Sequence, residues 1–252
     1  MDTRENIANT TDAVISIRGV YKAFGSNKVL DDFNMNLQRG QSKVVLGRSG
    51  SGKSVLIKCI IGLLTPEAGT INVFGQNVLN MSQEQLDVIR VKIGFLFQSN
   101  ALYDSMTVRE NLEFPMRRHS IKLSEKEANE RVVEALKNVG LEHTIDMMPS
   151  ELSGGMKKRI ALARTLILKP DIILYDEPTT GLDPITGREI TTLIKEIQHK
   201  YQTSSIIISH DMKCVKNTAD SIALLLNGKC YTEGTYSELA ISDDPNVKQF
   251  FE

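Results

Sequence analysis

The sequence predicts an α/β fold: a core sheet with parallel pairing, an antiparallel flank at the start of the chain, and an inserted, mostly helical segment from about 98 to 160. Three observations carry this. A glycine-rich turn, Gly47 to Ser54, separates the short apolar run Lys43 to Leu46 from residues of helical spacing, Val55, Leu56, Ile57, Ile60 and Ile61. A strand, helix, strand unit follows later, with Ile172 to Tyr175, Pro184 to about Lys200, and Ser205 to Ile208, and such units imply parallel neighbours. Near the start, Leu30, Phe33, Met35 and Leu37 mark a half-buried antiparallel strand.

The elements follow in order. Val14, Ile15, Ile17 and Val20 make the first strand and Val29 to Leu37 the second. Gly69 to Val78 and Ile93 to Phe97 add short strands. Three stretches from Thr107 to Gly140 read as helix, and two of them open with a capping box, Thr107 with Glu110 and Ser124 with Glu127; Gly140 suits a C-terminal stop. A further helix follows Ser153, with Met156, Ile160, Ala163 and Ile167 on one stripe, and Lys169-Pro170 ends it. Ile222 to Leu226, Asn227-Gly228 and Cys230 to Thr232 form a terminal hairpin with a tight turn.

Composition bounds the function. With 252 residues, 41% apolar and 24% charged, the chain is neither fibrous nor an unfoldable polyelectrolyte. Thirty basic against 31 acidic residues leave no global positive field, which argues against nucleic acid as the main partner. No apolar run reaches the roughly 18 residues a membrane helix needs. The first twelve residues are polar and acidic, so we expect a flexible N-terminus at 1–12, no secretory signal and a cytosolic site of action. Cys59, Cys214 and Cys230, odd in number and far apart, read as neutral thiols rather than metal ligands or disulfides.

Chemistry concentrates in three places. Gly47-Arg48-Ser49-Gly50-Ser51-Gly52-Lys53-Ser54 satisfies GxxxxGK[ST] between a strand and a helix. Its glycines let successive N–H groups face phosphate oxygens, the helix start adds positive potential, Lys53 would reach the β and γ phosphates, and the Ser54 hydroxyl would hold Mg²⁺. Ile172 to Tyr175 ends in Asp176-Glu177, at the carboxyl edge where α/β sheets bind ligands. Asp176 suits the Mg²⁺ shell and Glu177 the polarisation of an attacking water. Leu152-Ser153-Gly154-Gly155-Met156 opens a helix with a hydroxyl and two bare N–H groups, a second phosphate cradle. Two cradles serve one phosphate chain most economically when the second comes from another subunit.

In order along the chain, these residues resemble the nucleotide-binding subunits of ATP-binding cassette (ABC) transporters, from about Ala13 to Phe251. The resemblance implies a P-loop NTPase (RecA-like) core with an N-terminal antiparallel β subdomain and an inserted α-helical subdomain, one nucleotide-binding domain over 13–250. In the family's terms GRSGSGKS looks like Walker A, LSGGM like the signature and IILYDE like Walker B. Gln98 resembles the Q-loop glutamine, a site and Mg²⁺ residue, Gly181-Leu182-Asp183 the D-loop, and His210 the switch histidine; Phe24 takes the place of the aromatic that stacks on adenine, and Val55 falls among the nucleotide contacts.

The family implies head-to-tail homodimers with two ATP molecules at the interface, acting from the cytoplasmic face of the inner membrane on an integral membrane permease. GRSGSGKSVLIKCIIGLL, NALYDSMTVRENLEFP, PSELSGGMKKRIALAR and YDEPTTGLDPIT narrow the likeness to ATPases of Mla and MCE-type phospholipid transporters. That subgroup adds MCE-type lipid-binding and small accessory subunits as partners, and it often carries Met at position 156 where Gln is commoner.

Other readings stay open beside these. The chain also fits a small-solute importer, for amino acids as an example, and less well a soluble ABC protein on nucleic acid or a P-loop kinase. Asp183-Pro184 is also a good helix start. Lys157, Lys158 and Arg159 read as a solvated helix face, and His119, His143 and His199 as surface histidines. A groove near Gln98, with Leu102, Tyr103 and Met106, would receive a cytoplasmic permease helix.

Overall fold

A computed structural model describes residues 13–119, 121 and 123–251; the reading of 1–12 as flexible lies outside the described residues. Strands β1 (Ala13–Phe24) and β2 (Asn27–Gln38) pair antiparallel, and β3 (Ser42–Leu46) enters the glycine-rich turn before α1 (Lys53–Ile60). Then come β4 (Ala68–Val73), the two-residue β5 (Gln76–Asn77), α2 (Gln83–Val91) and β6 (Ile93–Leu96). The inserted helices are α3 (Val108–Arg118), α4 (Glu125–Asn138) and α5 (Gly154–Leu166). The chain closes with β7 (Ile172–Asp176), α6 (Pro184–Tyr201), β8 (Ser204–Ser209), α7 (Met212–Thr218), β9 (Ser221–Leu226), β10 (Lys229–Gly234), α8 (Tyr236–Ala240) and α9 (Pro245–Lys248).

Two sheets result. One is antiparallel in the order β2-β1-β4-β5; the other runs β10-β9-β3-β8-β7-β6, parallel except for the antiparallel edge strand β10. The period-two rule sorts the parallel sheet's side chains between two cores. Ile173, Tyr175, Ile207 and Leu224 face the inserted helices and α6, whereas Ile172, Leu174, Ile206, Ile208 and Leu225 face α1, α2 and the antiparallel sheet. Strand order sets β3, β8 and β7 side by side, so the turns that leave their carboxyl ends meet at one edge.

Local signals behave as their chemistry dictates. Thr107 and Ser124 accept from Glu110 and Glu127 N–H, closing both predicted capping boxes. Asn227 and Gly228 both take positive φ, 50° and 77°, the geometry of a two-residue hairpin turn. Three readings need correction. Between Thr107 and Gly140 the described residues form two helices, not three. Gly69 to Val78 is not one strand, because Phe74-Gly75 turn left-handed (φ 49° and 77°) and split it into β4 and β5. Helices α2, α7, α8 and α9 have no counterpart in the sequence reading, although Ser82 and Gln85 form a capping box before Leu86 and Ile89.

Candidate functional site

The P-loop turns on glycines that no other residue replaces. A Cβ at Gly47 would sit 2.8 Å from Ser51 Oγ and 2.9 Å from the Leu225 carbonyl, and Gly52, at φ 102°, would place one 2.4 Å from Val29 Cγ1. Lys53, the first residue of α1, folds back over this loop: its Nζ donates to the carbonyls of Gly47 at 2.8 Å and Arg48 at 3.0 Å. It also lies 3.6 Å from the Glu177 carboxylate. Burial lowers the Lys53 pKa, with Glu177 opposing the shift. Arg48 and Ser49 stand exposed beside it, Ser51 is half-buried, and the Arg48 guanidinium bonds to Gln249 beyond α9.

Glu177 lines a cavity with Lys53, Ser54 and His210, and Asp176, its neighbour on the strand, meets the edge of that cavity through the Ser54 hydroxyl. Glu177 itself has a left-handed backbone, φ 49°, with its N–H bonded to the Ile208 carbonyl at 3.0 Å. Such a conformation is costly outside glycine and persists only where its surroundings fix it. Asp176 Oδ1 accepts from the Ser54 hydroxyl at 2.9 Å; Glu177 meets His210 Nδ1 at 2.9 Å through both carboxylate oxygens. Burial raises the Asp176 pKa, and the Ser54 hydrogen bond opposes it. A buried carboxylate disfavoured by desolvation, next to a hydroxyl, is a donor set that suits a hard divalent cation. Two protein oxygens are few for a closed cage, as befits Mg²⁺, which keeps waters and takes phosphate oxygens.

A cavity of about 350 Å³ joins these groups, lined by Phe24, Val29, Ser49, Gly50, Gly52, Lys53, Ser54, Val55, Gln98, Glu177 and His210. Phe24 is half exposed at the end of β1 with the Lys22 ammonium 5.2 Å from its ring, so it is a platform rather than core. Ser153, Gly154 and Gly155 do not line this cavity. Ser153 caps α5, accepting from Met156 N–H at 3.2 Å, and stands exposed with Gly154. A Cβ on Gly154 meets nothing within 4 Å, whereas one on Gly155 would lie 2.6 Å from Thr186 Cγ2. The tips of α5 and α6 therefore sit side by side. Asp183 caps α6, accepting from Ile185 and Thr186 N–H, and the Thr186 hydroxyl holds its pKa down.

The reading of the basic run after the signature fails at Lys158, which is 1% exposed and donates from Nζ to the Gln98 carbonyl at 2.9 Å. Arg159 is half-buried, bonded to Glu189 at 2.7 Å and to the Val139 carbonyl. Helical spacing held the signal: Lys158 precedes buried Ala161 and Leu162 by three and four residues. The groove beside Gln98 exists, about 420 Å³, lined among others by Phe97, Tyr103, Phe114 and Arg164. Of the three residues named for it only Tyr103 lines it; Leu102 packs on the core instead. Burial raises the thiol pKa values of Cys59 to about 11 and of Cys214 and Cys230 to about 12, so all three are neutral at pH 7.

Known proteins are similar to this chain in sequence and fold. Residues 30–180 match the ABC transporter family. A probable ribonucleotide transport ATP-binding protein, mkl, of Mycobacterium leprae is 39% identical over 94% of this chain; the chain spans 68% of that relative's length. An intermembrane phospholipid transport system ATP-binding protein, MlaF, of Haemophilus influenzae is 38% identical over 94% of this chain and 89% of its own. A solved dimeric ATP-binding cassette in a post-hydrolysis state, bound to ADP and Pi, superposes with a TM-score of 0.80 at 31% identity, covering 88% of this chain and 98% of that one.

Proposed function

Because the chain belongs to the ABC transporter family, we propose that it is the ATP-hydrolysing cassette of a transporter, driving a membrane permease through cycles of ATP-dependent pairing with a second copy of itself. One observation carries the mechanism: Lys53, Ser54, Glu177 and His210 converge on one cavity, with Asp176 bonded to Ser54 at its edge, while the serine-glycine tip of the same chain opens elsewhere. A second copy, set head to tail, supplies that tip to complete each site.

Within the site the P-loop amides and Lys53 bind the triphosphate and fix its orientation. Ser54 and Asp176 would hold Mg²⁺, with Gln98 at its edge, and the ion would neutralise phosphate charge. Glu177 takes the proton of the attacking water, and His210, fixed against that carboxylate, orients it toward the terminal phosphate. Closure of the second copy's tip excludes water and completes the donors around the phosphate. The Phe24 ring offers its face to the base.

No described helix is long and apolar enough to cross a membrane. As the ATPase of such a transporter, the cassette works as a peripheral subunit at the cytoplasmic face of the inner membrane, and the groove beside Gln98 takes the permease helix. Phospholipid between inner and outer membranes is the cargo we propose, with MCE-type subunits as further partners. Its support is the MlaF relative, which matches across nearly its whole length as well as this one. The mycobacterial relative's name favours a small solute, but a third of that protein has no counterpart here.

The test is ATPase activity of the isolated chain against its own concentration. Two-copy sites make the rate rise more steeply than linearly at low concentration, and strict proportionality would refute them. For cargo, a permease co-purifying from membranes with an MCE-type lipid-binding protein supports phospholipid; a solute-importer permease overturns it.

A further inference from the structure

Gln98 sits in an irregular loop that has no sheet or helix ladder to hold it, yet its side chain borders the nucleotide cavity. The loop's backbone is held from one element, α5. Lys158 Nζ donates to the Gln98 carbonyl at 2.9 Å. Arg164, further along the same helix, donates to the carbonyls of Asn100 at 3.0 Å and Ala101 at 2.8 Å. Both of those residues are left-handed, φ 63° and 52°, a costly conformation for alanine that needs such anchoring.

Lys158 is the unusual member. It ranks among the largest fully buried side chains of the protein, and the Gln98 carbonyl is its hydrogen-bond acceptor. A lysine taken wholly out of water is expensive and is replaced at little loss by an apolar residue unless its ammonium serves something. Burial pushes its pKa down to about 8 against the attraction of Asp176, which places the ammonium in the electrostatic reach of the Ser54–Asp176 pair. It also stands about one helical turn behind Ser153, the tip offered to the other copy.

We propose that Lys158 is a positioning residue for Gln98, tying the loop at one nucleotide cavity to the helix whose tip completes the cavity of the partner copy. This rests on the two-copy reading above. A charge-assisted hydrogen bond to a carbonyl fixes the loop backbone, and thereby the place of the Gln98 amide, more firmly than packing alone. Lys158 does not line the nucleotide cavity. It acts through Gln98.

Lys158→Met, an unbranched apolar side chain of similar volume, tests this, with Lys158→Gln measured alongside should the first not fold. Two readouts apply. In the nucleotide-free chain, amide hydrogen exchange over residues 97–101 is expected to speed by about tenfold, with the rest of α5 unchanged, and Lys158→Arg is expected to restore protection. In turnover assays kcat is expected to fall about tenfold or more while KM for ATP moves less than about twofold. In a Gln98→Ala background the same change is expected to have little further effect on kcat.

Unchanged exchange in the loop, a kcat within about twofold of the parent, or an undiminished loss in the Gln98→Ala background would each overturn the assignment. A parent chain that neither binds nor hydrolyses ATP would instead bring down the functional reading itself.

Discussion

Glu177→Gln tests the site most directly, because Glu177 has two partners that pull in different directions. Its carboxylate lies 3.6 Å from Lys53 Nζ and 2.9 Å from His210 Nδ1, and both Lys53 and Glu177 side chains are at most 10% exposed. At that distance and an effective dielectric of about 20, the gross Lys53–Glu177 attraction is about 4–5 kcal/mol. A triphosphate must therefore draw Lys53 away from a carboxylate and settle beside that same negative charge. The amide keeps the size of the side chain and a partner for His210 but removes both the competitor and the base. Turnover is expected to fall about 10³-fold, near 4 kcal/mol in barrier. ATP affinity is expected to hold or to tighten by up to about tenfold. Phosphate release under saturating Mg-ATP and equilibrium binding of nucleotide measure the two quantities. Turnover within about threefold of the parent would remove Glu177 as the base, and affinity weakened tenfold would refute the competition for Lys53.

Three further outcomes follow from the same geometry. Because burial raises the Asp176 pKa, the folded chain holds its proton to higher pH than the unfolded chain does; stability falls as pH rises through that window and stays reduced above it. Asp176→Asn is thus expected to raise Tm at pH 7 in metal-free buffer and to abolish the stabilisation by Mg-ATP, and a lower metal-free Tm would contradict this. Gly52→Ala sets a Cβ 2.4 Å from Val29 Cγ1 at φ 102°; a loss of about 2–4 kcal/mol in chemical denaturation is expected, and a loss below about 0.5 would show the turn to be adaptable. Gly154→Val enters open space, so the monomer is expected to melt unchanged while ATPase activity is lost. Mixing it with an equally inactive Lys53→Met chain is expected to recover activity through one intact composite site per hybrid dimer, and a mixture as inactive as its parts would rule out sharing between copies.

How far the sequence reached differs by element. Capping boxes at Thr107 and Ser124, the Ser153 and Asp183 caps and the Asn227-Gly228 turn were legible because each is settled within a few residues by a side chain meeting nearby backbone. Helix α2 carries the same local signal, through Ser82 and Gln85. Charge does not tell the place of Lys158: among Lys157, Lys158 and Arg159 only helical spacing tells which one turns inward, and a lysine stem packs like an apolar chain. The reach of Tyr103 but not of Leu102 into the groove depends on how α3 and α5 meet the loop, which no local pattern encodes.

By itself the sequence determined the parts: a phosphate-binding turn, an acid pair at a strand end, a serine-glycine helix tip and the apolar periodicity that makes strands and helices around them. Only the tertiary structure decided who meets whom. Ser54 bonds Asp176 across 122 positions, Glu177 meets His210 across 33 and Lys158 reaches Gln98 across 60. Periodicity says which face of an element is apolar, but not which neighbour will cover it. The order β3-β8-β7 within the sheet sets three carboxyl ends at one edge, where Glu177, at a left-handed φ of 49°, lines the cavity and Asp176 bonds Ser54 beside it.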